Sequence, residues 1–524
     1  MSPTAFIYAA RPLPLRLPRI CVAVVGASGS ELVDKAENLG RDNPFIEFRL
    51  DYVKNPMQAL PALKKFFSYH PEVVAIATCR RAKNGGKFKG SVAAQVEVLV
   101  KASASGCQLI DIELESASAM KPAELEKLRS KAGLVLSYHD FRATKKVDET
   151  FHKMKGYPAD FYKLVTTATS LHDNVIMMKF LERASHDHSI VGLCMGEQGV
   201  ISRVLGLRAG SAFTFAAATV GEETGPGQIA AKTLRDVYRI EQVDAATKVY
   251  GVAGDPVSQS LSPAMMNAAF RRENVNAVFL ALHAKTIGDL LACVREIPIQ
   301  GMSVTMPYKE EIVKHLDNYD PLTQKTGACN TVVRGADGRL FGFNTDVAGV
   351  VRPLEQRTAL QGTKVVVLGA GGAARAAVFG LKERGAEVYI LNRTPAAAQK
   401  LARQAKAKSI KRADLKKIKP DVIINATSVG MDGATTSPLG EKEIDAKYVM
   451  DMVYQTETRF VKLARARGAA LIPGYEMFVQ QGARQFEIWT GKPAPESDMQ
   501  NEVLAALERN SQNGRSLRKE TAEK

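Results

Sequence analysis

Long apolar runs are missing from this 524-residue chain: no stretch approaches the ~20 consecutive apolar residues a bilayer-spanning helix requires, which excludes a membrane-spanning protein. Cysteine is scarce. The six present (Cys21, Cys79, Cys107, Cys194, Cys293, Cys329) are scattered without a C-x-x-C pair, which argues against a disulfide framework or structural zinc and for a reducing compartment. Acid is in deficit, 55 Asp+Glu against 71 Lys+Arg, giving a formal net charge of +16 that suits anionic ligands of any size. The densest basic run, KSIKRADLKKIKP at 408–420, lacks any aromatic residue on which a base could stack, so it reads as a solvated face and no nucleic-acid partner is expected. The opening MSPTAFIYAARPLPLRLPRI has three arginines and no acid, as a transit peptide would, yet Pro12, Pro14 and Pro18 break an amphipathic helix and no secretory apolar segment is present. The expected location is the cytoplasm.

With 45% hydrophobic and 24% charged residues, what remains is a folded globular chain, long enough for roughly three or four domains. Its first half carries eight short β-rich runs: ICVAVVG (20–26), PFIEFRLD (44–51), VVAIATCR (73–80), QLIDIEL (108–114), LVLSYHD (134–140), FYKLVTTA (161–168), SIVGLCMG (189–196) and AFTFAAA (212–218). Helix-like segments such as SVAAQVEVLVKASASG separate them. Strand–helix alternation at this spacing indicates parallel βαβ units, and eight of them match a (β/α)₈ barrel of typically ~250 residues. An open doubly wound sheet is the alternative, but no Gly-rich phosphate turn follows the first strand.

Glu47, Arg49, Asp51, Arg80, Glu113, His139 and Lys163 gather towards the carboxyl ends of these strands, where barrel enzymes place their chemistry. Lys163 lies within an apolar strand, and burial there disfavours an ammonium group. A desolvated lysine attacks carbonyls to form a Schiff base, and a histidine on the neighbouring strand can move protons beside it. Arginines nearby would hold a carboxylate in a fork of hydrogen bonds. This chemistry suits a Schiff-base lyase or an aldolase.

EFRLD (47–51), CRRAKNGG (79–86), SYHDF (137–141), the strand lysine, GVISR (199–203) and GPGQ (225–228) together resemble type I 3-dehydroquinate dehydratase across residues 20–240. The resemblance implies that Lys163 forms an imine with the C3 ketone of dehydroquinate and that His139 mediates proton removal at C2 and loss of water. It implies that Glu47, Arg49, Arg80, Arg203, Thr224 and Gln228 grip the substrate. One departure stands out: Asn84 occupies the place of a glutamate that in the family orients the histidine.

After a short linker near 239–247 the organisation changes. Strand-like VYGVAG, AVFLALH, GMSVTM and NTVVR alternate with helix-like segments to about 345, and TKVVVLGAGGAARAAVFGLKERGAEVYILNRT follows at 363–394. There a strand runs into GAGG, an Ala-rich helix and a second strand, the context in which a glycine turn brings backbone N–H groups to a pyrophosphate. The second strand ends in Asn392, Arg393 and Thr394 instead of an acid, which favours a 2′-phosphate and hence NADP. SVTMPYKE offers Lys309 and GFNTD offers Asp346 as proton carriers.

With GDPVSQSLSP (254–263), GACNTVV (327–333), NATSVGM (425–431) and GYEMFVQQGA (474–483), this half resembles shikimate dehydrogenase over about 248–510. The resemblance implies that Lys309 and Asp346 act at the transferred hydroxyl and that Ser260, Ser262, Thr305, Asn330, Tyr454 and Gln481 hold shikimate. It places Gly369, Ala370, Gly371, Gly372, Ala373, Asn392, Arg393, Thr394, Thr427, Met452 and Gly474 at the NADP site. Met266 and Ala397 depart from the family's histidine and second arginine.

The product implied for the first half is the substrate implied for the second, so a bifunctional enzyme of small-molecule substrates is expected. A quinate dehydrogenase in the second half, an aldolase in the first and a non-catalytic ligand-binding protein are the alternatives. The expected division is an extension at 1–19, a barrel at 20–243, a substrate domain at 248–345, a Rossmann domain at 346–474, returning helices at 475–510 and a polar, disordered tail at 511–524. No metal is expected: SHDHS (185–189) reads as a solvated turn, because no further ligand cluster accompanies His186 and His188. The sequence assigns no oligomeric state.

Overall fold

The computed structural model describes residues 17–522 apart from 41, 432–434 and 455–456, with side chains described as far as 509. Most of the expected N-terminal extension therefore lies outside the described residues. The chain forms two compact units: 1–247 together with Leu280–Ile297, and Lys248–Phe279 together with 298–524.

In the first unit β1 (Ile20–Val24), β2 (Phe45–Arg49), β3 (Val74–Thr78), β4 (Leu109–Glu113), β5 (Gly133–His139), β6 (Phe161–Thr167), β7 (Ile190–Met195) and β8 (Thr214–Ala217) stand in the order β7-β6-β5-β4-β3-β2-β1-β8. Neighbours along that order pair in parallel. The ends of the sheet meet through the Ala212 N–H, which donates to Ile190 O at 2.7 Å, and the Gly192 N–H, which donates to Ser211 Oγ at 3.3 Å. The result is a nearly closed eight-stranded barrel. Its helices start on local signals: Ser28, Asn55 and Ser91 each accept a backbone N–H of the first turn, and Pro56 opens Pro56–Tyr69.

Alternation along the strands layers the barrel interior. Phe45, Ile76, Leu109, Val135 and Phe161 belong to one apolar cluster, with Phe45 and Phe161 edge-on to Phe213 at centroid distances of 5.0 and 5.6 Å. Two residues further along the same strands come Glu47, Thr78, Asp111, Ser137 and Lys163, all buried. This apolar floor under a polar layer positions the site.

A second sheet comprises β9 (Lys248–Gly254), β10 (Ala277–His283), β11 (Ile299–Val304), β12 (Asn318–Tyr319), β13 (Thr331–Arg334) and β14 (Leu340–Phe343), in the order β10-β9-β11-β13-β14-β12. The expected strands stop at β13. β14 pairs antiparallel to it across a turn containing Gly338 at φ +83°, and two-residue β12 completes the edge. Such short strands carry no periodicity to read.

The remaining sheet comprises β15 (Lys364–Leu368), β16 (Glu387–Leu391), β17 (Lys408–Ser409), β18 (Val422–Asn425), β19 (Tyr448–Asp451) and β20 (Ala470–Ile472). It is parallel throughout, and its order β17-β16-β15-β18-β19-β20 is the doubly wound nucleotide-binding topology, with the crevice at the carboxyl ends of β15 and β18 where the order reverses. Val365 and Val367 enter one core cluster and Val366 and Leu368 another, so both faces are covered. Helix Gly474–Thr490 returns to β13, where the Trp489 indole donates to Val332 O at 3.1 Å. Helix Glu496–Ala522 runs on to residue 522 of the segment expected to be disordered; Leu517, Arg518, Lys519, Glu520 and Ala522 are good helix formers that continue a helix already nucleated.

Candidate active sites

A cavity of about 240 Å³ opens at the carboxyl ends of the barrel strands, and Glu47, Arg49, Arg80, His139, Lys163, Arg203, Thr224 and Gln228 all line it. Lys163 is 3% exposed, but its surroundings are not the apolar ones its strand suggests. Its Nζ lies 3.2 Å from Asp111 Oδ2 and 3.5 Å from Glu47 Oε1, and 3.6 Å above the Phe215 ring centre. The two carboxylates come from strands distant in sequence, so a reading along β6 alone cannot find them. Glu47 also accepts the Thr78 hydroxyl at 2.7 Å. Asp111 accepts Arg80 Nη2 on both oxygens at 3.1 Å and the Ser137 hydroxyl at 2.6 Å. Burial pushes the Asp111 carboxyl up, but Lys163, Arg80 and Ser137 outweigh it and hold it at about 2.

Half-buried His139 has its Nε2 2.7 Å from Arg80 Nη1 and its ring stacked on Phe141 at 6.0 Å. Burial, together with the positive Arg80, Lys163 and Arg49, holds its imidazole well below the usual range, so the ring is neutral and carries a lone pair. Arg49 is forked onto Asp51 through two bonds of 2.9 Å. Arg203 differs from the other cations: it is 3% exposed, its Nη2 donates to Pro226 O, and among the described residues no carboxylate pairs with it. Burial lowers its guanidinium to about 10. Such a group calls for an anion from outside. Thr224 donates through its N–H and hydroxyl to Gln228 Oε1 at 2.7 and 3.1 Å, tying the loop over the cavity mouth.

In the second unit a cavity of about 490 Å³ is lined by Ser260, Ser262, Thr305, Lys309, Asn330, Asp346, Tyr454 and Gln481. Lys309 Nζ lies 2.6 Å from Asp346 Oδ2, and the other Asp346 oxygen accepts Asn330 Nδ2 at 2.8 Å. Asn344 Oδ1 accepts the Asp346 N–H, and Asn330 Oδ1 accepts the Thr345 N–H at 2.7 Å. Gln485 supports this network from below, accepting the Ser303 hydroxyl at 2.7 Å and donating to Asn330 O and Thr331 Oγ1. Tyr454 stacks on Phe478 at 4.7 Å.

At the β15–β18 crevice Gly369 has φ +115°, a conformation that favours glycine, and open space surrounds the positions where side chains would project from Gly371 and Gly372. Ala370 and Ala373 flank them, and Gly371 caps helix Gly372–Glu383, whose free N–H groups point out of the turn. Asn392, Arg393 and Thr394 follow β16, with Arg393 exposed and making no ion pair among the described residues. Thr427 donates to Asn425 Oδ1 at 2.7 Å, Met452 follows β19, and Gly474 is so tightly placed that a Cβ would lie 2.6 Å from Asp451 O. These residues fit a phosphorylated dinucleotide.

The sequence reading missed Thr78, Asp111, Ser137 and Phe215 in the barrel, and Ser303, Asn344, Thr345 and Gln485 in the second unit. The i, i+2 pattern in QLIDIEL and LVLSYHD was the available signal for Asp111 and Ser137. In the SHDHS turn His188 packs edge-on against Phe151 and Tyr162, and among the described residues no cluster of three or more His, Cys, Asp or Glu is placed to hold a metal. No helix among them is long and apolar enough to cross a membrane.

A buried lysine beside a neutral imidazole at the active end of a barrel is the arrangement of an imine-forming lyase; a lysine–aspartate pair facing a Rossmann crevice is that of a dinucleotide-dependent oxidoreductase. Comparison with known families agrees. Residues 20–245 match the type I 3-dehydroquinase family; 252–332 match the shikimate dehydrogenase substrate-binding domain, 354–438 the shikimate/quinate 5-dehydrogenase family and 474–504 the shikimate 5′-dehydrogenase C-terminal domain. The chain is 34% identical over 505 residues to the chloroplastic bifunctional 3-dehydroquinate dehydratase/shikimate dehydrogenase of Arabidopsis thaliana, covering 91% of this chain and 82% of that one. It is 38% identical over 257 residues to the shikimate dehydrogenase (NADP(+)) of Syntrophobacter fumaroxidans, covering 48% of this chain and 90% of that one. A crystal structure of shikimate 5-dehydrogenase from Thermus thermophilus with NADP(H) and shikimate shares 35% identity, covers 50% of this chain and all of that one, and superposes with a TM-score of 0.47. The chain belongs to the family of bifunctional 3-dehydroquinate dehydratase/shikimate dehydrogenases.

Proposed function

We propose that the barrel dehydrates 3-dehydroquinate to 3-dehydroshikimate through an imine on Lys163, and that the second half reduces this product to shikimate with NADPH. The observation that carries the reading is the pairing of two complete constellations in one chain, Lys163 with His139 in one cavity and Lys309 with Asp346 in the other. In the barrel, Asp111 and Glu47 hold Lys163 Nζ in place by charge, and the amine attacks the C3 ketone once it has lost a proton to water. Neutral His139 removes the C2 proton and returns it to the departing hydroxyl, which leaves as water. Arg203 receives the substrate carboxylate as its missing counter-ion. Glu47, Arg49, Arg80, Thr224 and Gln228 complete the grip.

In the second half, Lys309, oriented by Asp346, moves a proton at the substrate oxygen, while Ser260, Ser262, Thr305, Asn330, Tyr454 and Gln481 hold the ring hydroxyls and carboxylate. The turn at 369–373, Arg393, Thr394, Thr427, Met452 and Gly474 would hold NADP, which supplies the hydride when bound; the NADP-dependent relatives support that choice over NAD. We assign the barrel to 20–243, the substrate domain to 248–345 and the Rossmann domain to 346–474. A cytoplasmic location accords with six cysteines that are all free and buried.

Borohydride trapping tests the first reaction and NADPH oxidation the second. Dehydroquinate with borohydride should leave a covalent adduct at Lys163, found by peptide mass. Lys163→Arg should abolish adduct and dehydration while leaving NADPH oxidation with added 3-dehydroshikimate intact. Dehydration that persists in that variant would defeat the barrel mechanism.

A further inference from the structure

Among the described residues no carboxylate touches the His139 ring. Asn84 stands where an acid would orient it, and the Asn84 Oδ1 is buried with no hydrogen-bond partner. The neighbouring Gly85 abuts the Phe141 ring, which stacks on the face of His139, so this turn reaches the imidazole through its face and not its polar edge. The ring's hydrogen bond runs instead to Arg80 Nη1, at 2.7 Å from Nε2. A guanidinium has N–H donors only and stays protonated. Nε2 must therefore present its lone pair, and the proton of the neutral ring stands on Nδ1. Arg80 is itself immobilised: it is 6% exposed, and its Nη2 spans both oxygens of Asp111 and reaches Ser137 Oγ at 3.4 Å.

We propose that Arg80, anchored by Asp111, is the positioning residue of His139 in this chain: the pair replaces the acid that Asn84 lacks, selects the Nδ1–H tautomer and keeps Nε2 unprotonated, capped by Arg80 in the resting site. Asp111 also touches Lys163 Nζ at 3.2 Å, so one carboxylate holds the imine-forming amine and, through Arg80, the base. The consequence for turnover rests on the dehydratase reading. Arg80 leaves Nε2 as the substrate binds, freeing the lone pair; as the C2–H bond breaks, its electron pair passes into the iminium to give an enamine and the proton goes to Nε2, whose charge then keeps Arg80 away. The enamine electrons next form the C1–C2 double bond, the C1 hydroxyl departs as water with the Nε2 proton, and Arg80 returns to the neutral ring.

The test is ¹⁵N NMR of the full chain labelled in its histidine rings, at neutral pH, with His139→Asn identifying the His139 signals. Wild type should show Nδ1 protonated and Nε2 bare. Arg80→Lys and Asp111→Asn should each give mixed tautomers, read alongside dehydration kinetics. A proton on Nε2 in wild type, or a tautomer indifferent to both substitutions, overturns the proposal. The wild-type spectrum decides even where a variant fails to fold. If Nδ1–H is found but dehydroquinate is not turned over, the dehydratase reading falls and the positioning role stands.

Discussion

The two sites of this chain solve opposite electrostatic problems. The barrel concentrates charge: Arg49 on Asp51, Arg80 on Asp111, Lys163 between Asp111 and Glu47, and Arg203 with no carboxylate among the described residues. The reductase site has one ion pair, Lys309–Asp346, within a frame of amides and hydroxyls from Asn330, Asn344, Thr345 and Gln485. Buried charges are costly unless paired, so the barrel can sustain its cluster only because each cation but one has a partner. The exception marks where the substrate supplies the counter-charge. A site that must hold both ketone and alcohol gains from groups able to donate or accept, and the second cavity has them.

Three perturbations would break or sharpen this contrast. The largest is Asp346→Asn, which leaves Lys309 without its charged partner; NADPH oxidation should fall by about 10²–10⁴-fold, the range of a general acid–base contribution, with dehydration unchanged. Equal loss in both assays would show that the sites are not independent. Next is Arg203→Gln, where affinity and stability should move in opposite directions. Removing a charge-assisted hydrogen bond of about 1.5–3 kcal/mol should raise KM for dehydroquinate by roughly tenfold or more. Removing an unpaired buried guanidinium should also raise the barrel's thermal midpoint, by about 2–4 °C for each kcal/mol recovered. A lowered midpoint would mean that Arg203 has a partner in the resting protein.

The smallest effect is a slope. Asp111 sits at about 2 in the folded barrel against about 3.9 in an unfolded chain. Its contribution to stability is therefore fully present above about pH 4 and is lost as pH falls towards 2. Hydrogen exchange of β6 amides should show wild type losing on the order of 2 kcal/mol more than Asp111→Asn over that interval. Trp489, the sole tryptophan, lies in the second unit, and its fluorescence should report the same acid transition in both proteins.

How far the sequence reaches follows the same divide between local and distant information. The barrel strands and the Rossmann turn were readable because alternation and glycine placement are local. That Lys163 and His139 line the barrel cavity was readable because strand ends in a barrel are where chemistry sits. The anchoring of Lys163 by Asp111 and Glu47 was not, since residues 47, 111 and 163 meet only through barrel closure. That Arg80 also meets His139 was not readable, since the two lie 59 residues apart. Gln485 falls one helical turn beyond Gln481, and nothing in the helix pattern separates it from a core polar residue until β11 and β13 are laid against it.

The seam of the barrel has a final consequence. Six other strand junctions are laced by parallel ladders and one more joins β1 to β8, whereas among the described residues β7 meets the approach to β8 through Ala212 on Ile190 and Ser211 on Gly192. A hoop yields first where its staves are least fastened. Arg203 and the Thr224–Gln228 loop both belong to the chain that flanks this joint, so the cation that lacks a carboxylate and the loop at the mouth sit on the least-fastened part of the wall.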